Sequence, residues 1–237
     1  MFGKDVGMII KGLAKLTLLD FPGKVACTVF TGGCNFRCPF CHNASLAVRP
    51  GEVNAIDEAE VLSLLQKRKG VLEGVCVTGG EPMLCADLPD FLAKVKALGY
   101  AVKLDTNGSF PDKLRALVRE GLVDRVAVDI KNSPAKYALT AGVPDMDLRP
   151  ICETVDFLKE GHVDYEFRTT VVKEMHEASD FEAIGRWIAG AQSYALQSFK
   201  DSGDLIEQGL SAPSSEDLAA FLAIVSKYVS NAQIRGV

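Results

Sequence analysis

No apolar run in this chain approaches the ~18 residues that a membrane-crossing helix needs, so no membrane partner is expected. Positive charge is not in surplus either. Lys and Arg number 26 against 31 Asp and Glu, for a net charge of −5, without the basic stripe or patch that a general nucleic-acid surface requires. The local cluster Gln66-Lys67-Arg68-Lys69 reads as the solvated end of a helix, where cations suit the dipole. Low-complexity tracts and internal repeats are absent. The opening Met1-Phe2-Gly3-Lys4-Asp5 lacks the basic-then-apolar shape of a secretory signal. Cysteines number seven, an odd count that suits no complete disulfide framework. A cytoplasmic location is the expectation, where disulfides rarely persist.

What is present suits one large soluble domain: 237 residues, 48% hydrophobic and 24% charged. Near-continuous apolar strand candidates alternate with amphipathic helix candidates almost from end to end. The strands read 24–30, 74–78, 101–105, 124–130, 165–172 and 193–199. Such runs suit a parallel sheet covered by helices. The run 165–172 is more polar, which predicts that one of its faces looks into a wet site. Helices are expected over 57–69, stopping at Gly70; from Asp87 to Gly99 with Pro89 in the first turn; and from Ser109-Phe110-Pro111-Asp112 to Gly121. Others are expected over about 147–159 and 179–189, and Ser214-x-x-Asp217 reads as a capping box. Alternation of this kind implies right-handed βαβ units. The predicted fold is α/β, an open partial (β/α)6 barrel of parallel strands. It forms a single domain over 1–237: an N-terminal segment 1–23, a core 24–200, then a loop and C-terminal helix over 201–237, with no need of a linker or second domain. Barrels of this kind keep their active sites at the carboxyl ends of the strands.

The first strand end carries Cys34-Asn35-Phe36-Arg37-Cys38-Pro39-Phe40-Cys41, which gathers three thiols in one short loop with no fourth. A cubane iron–sulfur cluster needs a ligand on each of four irons, so three thiolates leave one iron free for chemistry. Other readings compete. Zinc held by the three cysteines and His42 suffers because His42 directly follows Cys41 and no second ligand pair appears downstream. Cys38-Pro39-Phe40-Cys41-His42 also reads as a c-type haem motif, but that leaves Cys34 without a role. Cys27, Cys76, Cys85 and Cys152 are scattered and read as ordinary core or surface thiols.

The later strand ends carry Thr78-Gly79-Gly80-Glu81-Pro82, Asp105-Thr106-Asn107-Gly108 and Asp129-Ile130-Lys131, and Arg168 lies within the fifth strand. Taken singly, each has a plain structural explanation. Gly-Gly and Asn-Gly are common turn pairs, and Asp129 and Lys131 could be an interior ion pair. Taken together they are harder to dismiss. Glycines let a backbone approach a ligand closely, and carboxylates, an amide and cations at neighbouring strand ends could grip a zwitterion. His162 and His176 lie by loops and read as solvated polar residues. Trp187 shares an apolar helix face with Ile184 and Ile188 and reads as core.

Cys34-x3-Cys38-x2-Cys41 with Phe40, followed by a Gly-Gly-Glu-Pro strand end, resembles the radical S-adenosylmethionine enzymes. Cys41-His42-Asn43, Asp105-Thr106-Asn107-Gly108 and Asp129-x-Lys131 are similar to the glycyl-radical-enzyme activases among them. Leu16-Thr17-Leu18-Leu19-Asp20-Phe21-Pro22-Gly23-Lys24-Val25 resembles the longer form of anaerobic ribonucleoside-triphosphate reductase activating proteins. The resemblance implies that Cys34, Cys38 and Cys41 hold a 4Fe–4S cluster whose fourth iron takes the amine and carboxylate of S-adenosyl-L-methionine. It places Gly79, Gly80 and Glu81 by the amine, and Phe40 and His42 by the adenine. Asp105, Thr106, Asn107, Asp129, Lys131 and Arg168 would surround the ribose and carboxylate.

The implied reaction is one-electron cleavage of the sulfonium to methionine and a 5′-deoxyadenosyl radical equivalent, which takes a hydrogen atom from a glycine of a partner enzyme. A low-potential donor such as flavodoxin or ferredoxin would supply the electron, and the loop 201–212 could help seat the partner. No extra cysteine-bearing insert of the kind some activases carry is present. The sixth strand end, Ser193–Lys200, lacks the histidine expected of the pyruvate formate-lyase branch. Activation of another glycyl radical enzyme, radical chemistry on a small molecule, and a non-catalytic zinc or electron-carrier protein are the alternatives.

Overall fold

The computed structural model describes residues 8–236. The opening Met1–Asp5, read above as lacking a secretory signal, lies outside the described residues. The fold is α/β, with a mostly parallel, open sheet of eight strands that follow the chain in order. They are β1 (Ile10–Thr17), β2 (Ala26–Thr31), β3 (Gly74–Gly79), β4 (Ala101–Thr106), β5 (Arg125–Asp129), β6 (Asp164–Val171), β7 (Tyr194–Ser198) and β8 (Ala232–Arg235). Helices α1 (Ala44–Val48), α2 (Glu58–Lys67), α3 (Leu88–Ala97), α4 (Pro111–Arg119), α5 (Tyr137–Ala141), α6 (Arg149–Lys159), α7 (Ala178–Trp187) and α8 (Ser215–Val225) fill the connections. The described residues form two compact units. The first holds 8–35, 45–106 and 112–126, and the second 36–44, 107–111 and 127–236.

In the first unit β2, β3 and β4 pair in parallel, Val29 lying beside Val77 and Val77 beside Leu104. The continuous apolar runs are explained by burial: Val29, Val75, Val77 and Leu104 are wholly buried, as are Phe91, Leu92 and Val95 of α3. Each contributes about 1.5–3 kcal/mol relative to exposure. β1 is an addition to the six expected strands. It runs antiparallel to β2 with two register shifts, and its Gly, Ala and Lys residues carry no strand signal. The stretch after β1 is pinned where Thr28 Oγ donates to Asp20 Oδ2 at 2.5 Å. Phe21 is buried there over Gly74, whose hydrogen leaves room for the ring.

In the second unit β6, β7 and β8 pair in parallel. β8 is the second unexpected strand, only four residues long. Stacking of Phe181 on Phe221, with ring centroids 4.3 Å apart, joins α7 to α8. Helix boundaries follow the capping signals closely. Ser214 Oγ accepts from the Asp217 amide at 3.0 Å in a full capping box. Asp87 precedes α3, but its side chain makes no capping bond, so Pro89 and the apolar face start that helix.

Candidate functional site

The first unit presents the ends of β2, β3 and β4. Gly80 N–H donates to Thr31 O at 3.0 Å, and Glu81 N–H donates to Gly33 O at 2.8 Å. The Gly79-Gly80 pair is therefore stitched to the backbone that leads into Cys34. Gly79 has φ +121°, a conformation open to glycine. A Cβ on Gly80 would overlap the carbonyl oxygen of Gly33. The close approach these glycines permit is to the chain's own cysteine-bearing segment. Glu81 is wholly buried, and its Oε1 accepts from Thr106 Oγ at 2.8 Å and from Met83 N–H at 3.1 Å. β3 and β4 are thus tied at their ends. Asp105, also buried, pairs with the ammonium of buried Lys103.

The second unit holds Cys38 and Cys41, with Cys41 N–H donating to Cys38 O at 3.0 Å. Two neighbouring segments, the end of α5 and the loop after β7, fix this turn. Arg37 N–H donates to Ala141 O at 2.9 Å, Glu207 N–H donates to Pro39 O at 3.0 Å, and Ala44 N–H donates to Asp204 O at 3.4 Å. Gly142, left-handed at φ +64°, lies against Arg37, where any side chain would strike the carbonyl. Phe40 is buried, and the His42 ring stacks on Phe199 at 5.4 Å. Burial pushes the Cys41 thiol above its ordinary pKa, against the Asn43 backbone and the Lys131 ammonium, and pushes His42 below its own.

Asp129, Lys131 and Arg168 form one cluster. Lys131 Nζ lies 3.1 Å from Asp129 Oδ2, while Arg168 Nε and Nη2 lie 3.0 and 2.9 Å from Oδ1. Burial opposes ionisation of Asp129, but the Arg168 guanidinium and the Lys131 ammonium override it and hold the carboxyl far below the usual range. Lys131 is raised in turn, with Asp129 outweighing the burial that opposes its charge. Asn107 serves its own turn, its Oδ1 accepting from Ser109 N–H at 3.0 Å and from Ser109 Oγ at 2.6 Å.

His176 departs from the solvated role expected of it. It is buried, with Nδ1 accepting from Val172 N–H at 3.1 Å and Nε2 donating to Lys131 O at 3.0 Å. It anchors the backbone just after β5, and a lone histidine beside a loop carries no sequence signal for that. His162 stays at the surface beside Glu160. Lys103 is the residue that sequence reasoning missed. Its signal lies in Lys103-Leu104-Asp105, which repeats the charged alternation of Asp129-Ile130-Lys131 on an apolar strand.

None of the seven cysteines forms a disulfide. Three cysteines at this spacing suit an iron–sulfur cluster by donor chemistry. Cys27 and Cys76 are wholly buried in β2 and β3, and burial pushes the Cys27 thiol up to about 11, which makes it an inert core group. Among the described residues no helix is long and apolar enough to cross a membrane.

A family model described as the radical SAM superfamily matches residues 28–188. A Methanocaldococcus jannaschii protein named "putative glycyl-radical enzyme activating enzyme" is 29% identical over 236 residues, covering 97% of this chain and 96% of that one. Among solved structures, SuiB of Streptococcus suis superposes with TM-score 0.69 at 15% identity, over 88% of this chain and 48% of SuiB. A domain of pyruvate-formate lyase-activating enzyme from Bacteroides vulgatus superposes with TM-score 0.57 at 19% identity, over 69% of this chain and 99% of that domain. At such identities the two structures speak to the fold alone.

Proposed function

The chain belongs to the radical SAM superfamily, and from that premise we propose that it activates a glycyl radical enzyme. The observation that carries this reading is the end-to-end likeness to the Methanocaldococcus protein, which spans nearly the whole of both chains. Relatives of other names match less of this chain, a probable GTP 3′,8-cyclase of Thermococcus kodakarensis covering 65% of it and 50% of its own length. Within the activases we assign the partner as an anaerobic ribonucleoside-triphosphate reductase, on the resemblance carried by Leu16–Val25.

In this reading Cys34, Cys38 and Cys41 hold a 4Fe–4S cluster. When bound, the cluster and S-adenosyl-L-methionine supply one-electron cleavage of a carbon–sulfur bond and the hydrogen-abstracting equivalent that results. The protein's task is to bind and orient. The amine of the cofactor is received at Gly79, Gly80 and Glu81. Glu81 is held by Thr106 and the Met83 amide, so its carboxylate needs no rearrangement when the ligand arrives. Lys131 and Arg168, preorganised on Asp129, are the cations for the carboxylate, and Arg168 brings the planar fork that suits it. Phe40 and His42 take the adenine side, with His42 held flat by Phe199. Asp105, Thr106 and Asn107 take the ribose side. A flavodoxin or ferredoxin is the electron source in this scheme.

The test is anaerobic reconstitution, reduction and low-temperature electron paramagnetic resonance with and without S-adenosyl-L-methionine, followed by incubation with the reductase. A 4Fe–4S signal that changes with the cofactor, and a glycyl radical on the reductase, are the expected results. A cofactor-sensitive signal without a glycyl radical would overturn the partner assignment. A signal indifferent to the cofactor would overturn the enzyme reading itself.

A further inference from the structure

We propose that His176 is a positioning residue for the cofactor's carboxylate: by fixing the Lys131 backbone beyond the end of β5, its ring holds the ammonium of Lys131 in place to receive that anion. The inference rests on the reading above, in which Lys131 meets the carboxylate.

Ile130, just past β5, is still tied to β6. Its N–H donates to Arg168 O at 2.7 Å, and its carbonyl accepts from Thr169 Oγ at 2.7 Å. Beyond it, the connection between β6 and α7 takes over. His176 Nε2 donates to Lys131 O at 3.0 Å. Asn132 Nδ2 donates to Met175 O at 3.0 Å, and Ser133 Oγ donates to Asp180 Oδ1 at 2.8 Å. Three consecutive residues are thus clasped by one short segment. The His176 ring is itself set by a local turn, in which Val172 N–H donates to Nδ1 at 3.1 Å and His176 N–H donates to Val172 O at 3.1 Å. With Nδ1 an acceptor, Nε2 carries the proton.

Packing alone does not account for a histidine here. Its ring lies tilted 5.9 Å from Phe181, a contact that an apolar ring would make without burying two polar nitrogens. What an apolar ring lacks is the donor for Lys131 O. That donor matters because a lysine carries a point charge on a flexible four-carbon stem, so its head is placed only when the backbone beneath it is fixed. Asp129 Oδ2 takes the ammonium end at 3.1 Å, and His176 takes the backbone end. The ammonium faces the cysteine loop: burial raises the Cys41 thiol and Lys131 works against it, while burial lowers His42 and Lys131 works with it.

The experiment measures binding of S-adenosyl-L-methionine and of its decarboxylated counterpart to anaerobically reconstituted, unreduced protein, in which no cleavage occurs. The ratio of the two affinities reports on the carboxylate. His176→Asn keeps an acceptor near Val172 N–H but is too short for Lys131, whereas His176→Gln keeps a donor for Lys131. The Asn variant should lower the ratio by about tenfold, the scale of one hydrogen bond to a charged group. The Gln variant should keep the wild-type ratio, and His176→Asn added to Lys131→Ala should lower it no further than Lys131→Ala does. A merely structural histidine would weaken both probes alike. An unchanged ratio in His176→Asn, a lowered one in His176→Gln, or a further fall in the double variant overturns the inference and leaves the activase reading standing. If His176→Asn does not fold, His176→Phe, which keeps a ring, takes its place with the same outcomes. Wild type that binds the two probes equally overturns the carboxylate role of Lys131 and this inference with it. Wild type that binds neither probe overturns the activase reading as well.

Discussion

A Cβ on Gly80 would overlap the carbonyl oxygen of Gly33, a clash no relaxation of a side chain can relieve, because the obstacle is backbone. Gly80→Ala should therefore force apart the segment leading to Cys34 and the end of β3. Destabilisation of more than about 3 kcal/mol is expected, with poor iron retention, read by thermal unfolding and iron content. Gly121→Ala is the control. Gly121 has φ +68°, and nothing lies within 4 Å of the place a Cβ would take, so only the left-handed conformation costs, about 1–2 kcal/mol.

His176 should make stability sensitive to mild acid. Burial pushes its pKa below the ordinary value, against the Lys131 and Val172 carbonyls that favour the charged ring. Because the folded value is depressed, the contribution is fully present above the ordinary value of about 6.5 and is lost as pH falls below it. The unfolding midpoint should fall as the pH drops below about 6.5, and His176→Gln should flatten that fall. An identical profile in the variant would remove His176 as the cause.

The Asp129 cluster makes a different pH prediction. Its carboxyl is depressed by Arg168 and Lys131 against burial, so its contribution is present above about pH 4 and declines only in stronger acid. Acid unfolding followed by circular dichroism should show a steep limb below that pH, and Asp129→Asn should lose it. Lys131→Ala should retain iron yet weaken cofactor binding by about tenfold or more. Unchanged binding would remove Lys131 from the cofactor site.

Cys38→Ser tests the loop. After reconstitution it should lose cofactor cleavage, measured as methionine and 5′-deoxyadenosine released, because a thiolate ligand is replaced by a hydroxyl of poor affinity for iron. Full activity would refute the cluster assignment. Cys27→Ala, in the wholly buried part of β2, should retain cleavage and lower only the unfolding temperature.

Ser214→Ala removes the hydroxyl that accepts from Asp217 N–H. It should cost about 1 kcal/mol, a midpoint shift of roughly 2–4 °C in a protein of this size. No shift would mean that the α8 terminus frays without consequence for the fold.

Six of the strands, the capped helices and the spacing of the three cysteines were legible in the chain because each depends on local chemistry: apolar runs, glycine stops, Ser214-x-x-Asp217 and a short thiol loop. β1 and β8 were not, since one is irregular and poor in strand formers and the other is four residues long; pairing with β2 and β7 makes them strands. The sequence also left Asp129-Ile130-Lys131 open between an ion pair and a ligand site, and put His176 in solvent. Only tertiary packing clasped Lys131 and Arg168 on Asp129, turned the glycines of β3 toward the chain's own cysteine segment, and buried Lys103 against Asp105. The physical reason is the same in each case. Periodicity and capping are set within a few residues of chain, whereas the partner of a buried charge is chosen by whichever residues the fold brings within hydrogen-bonding distance.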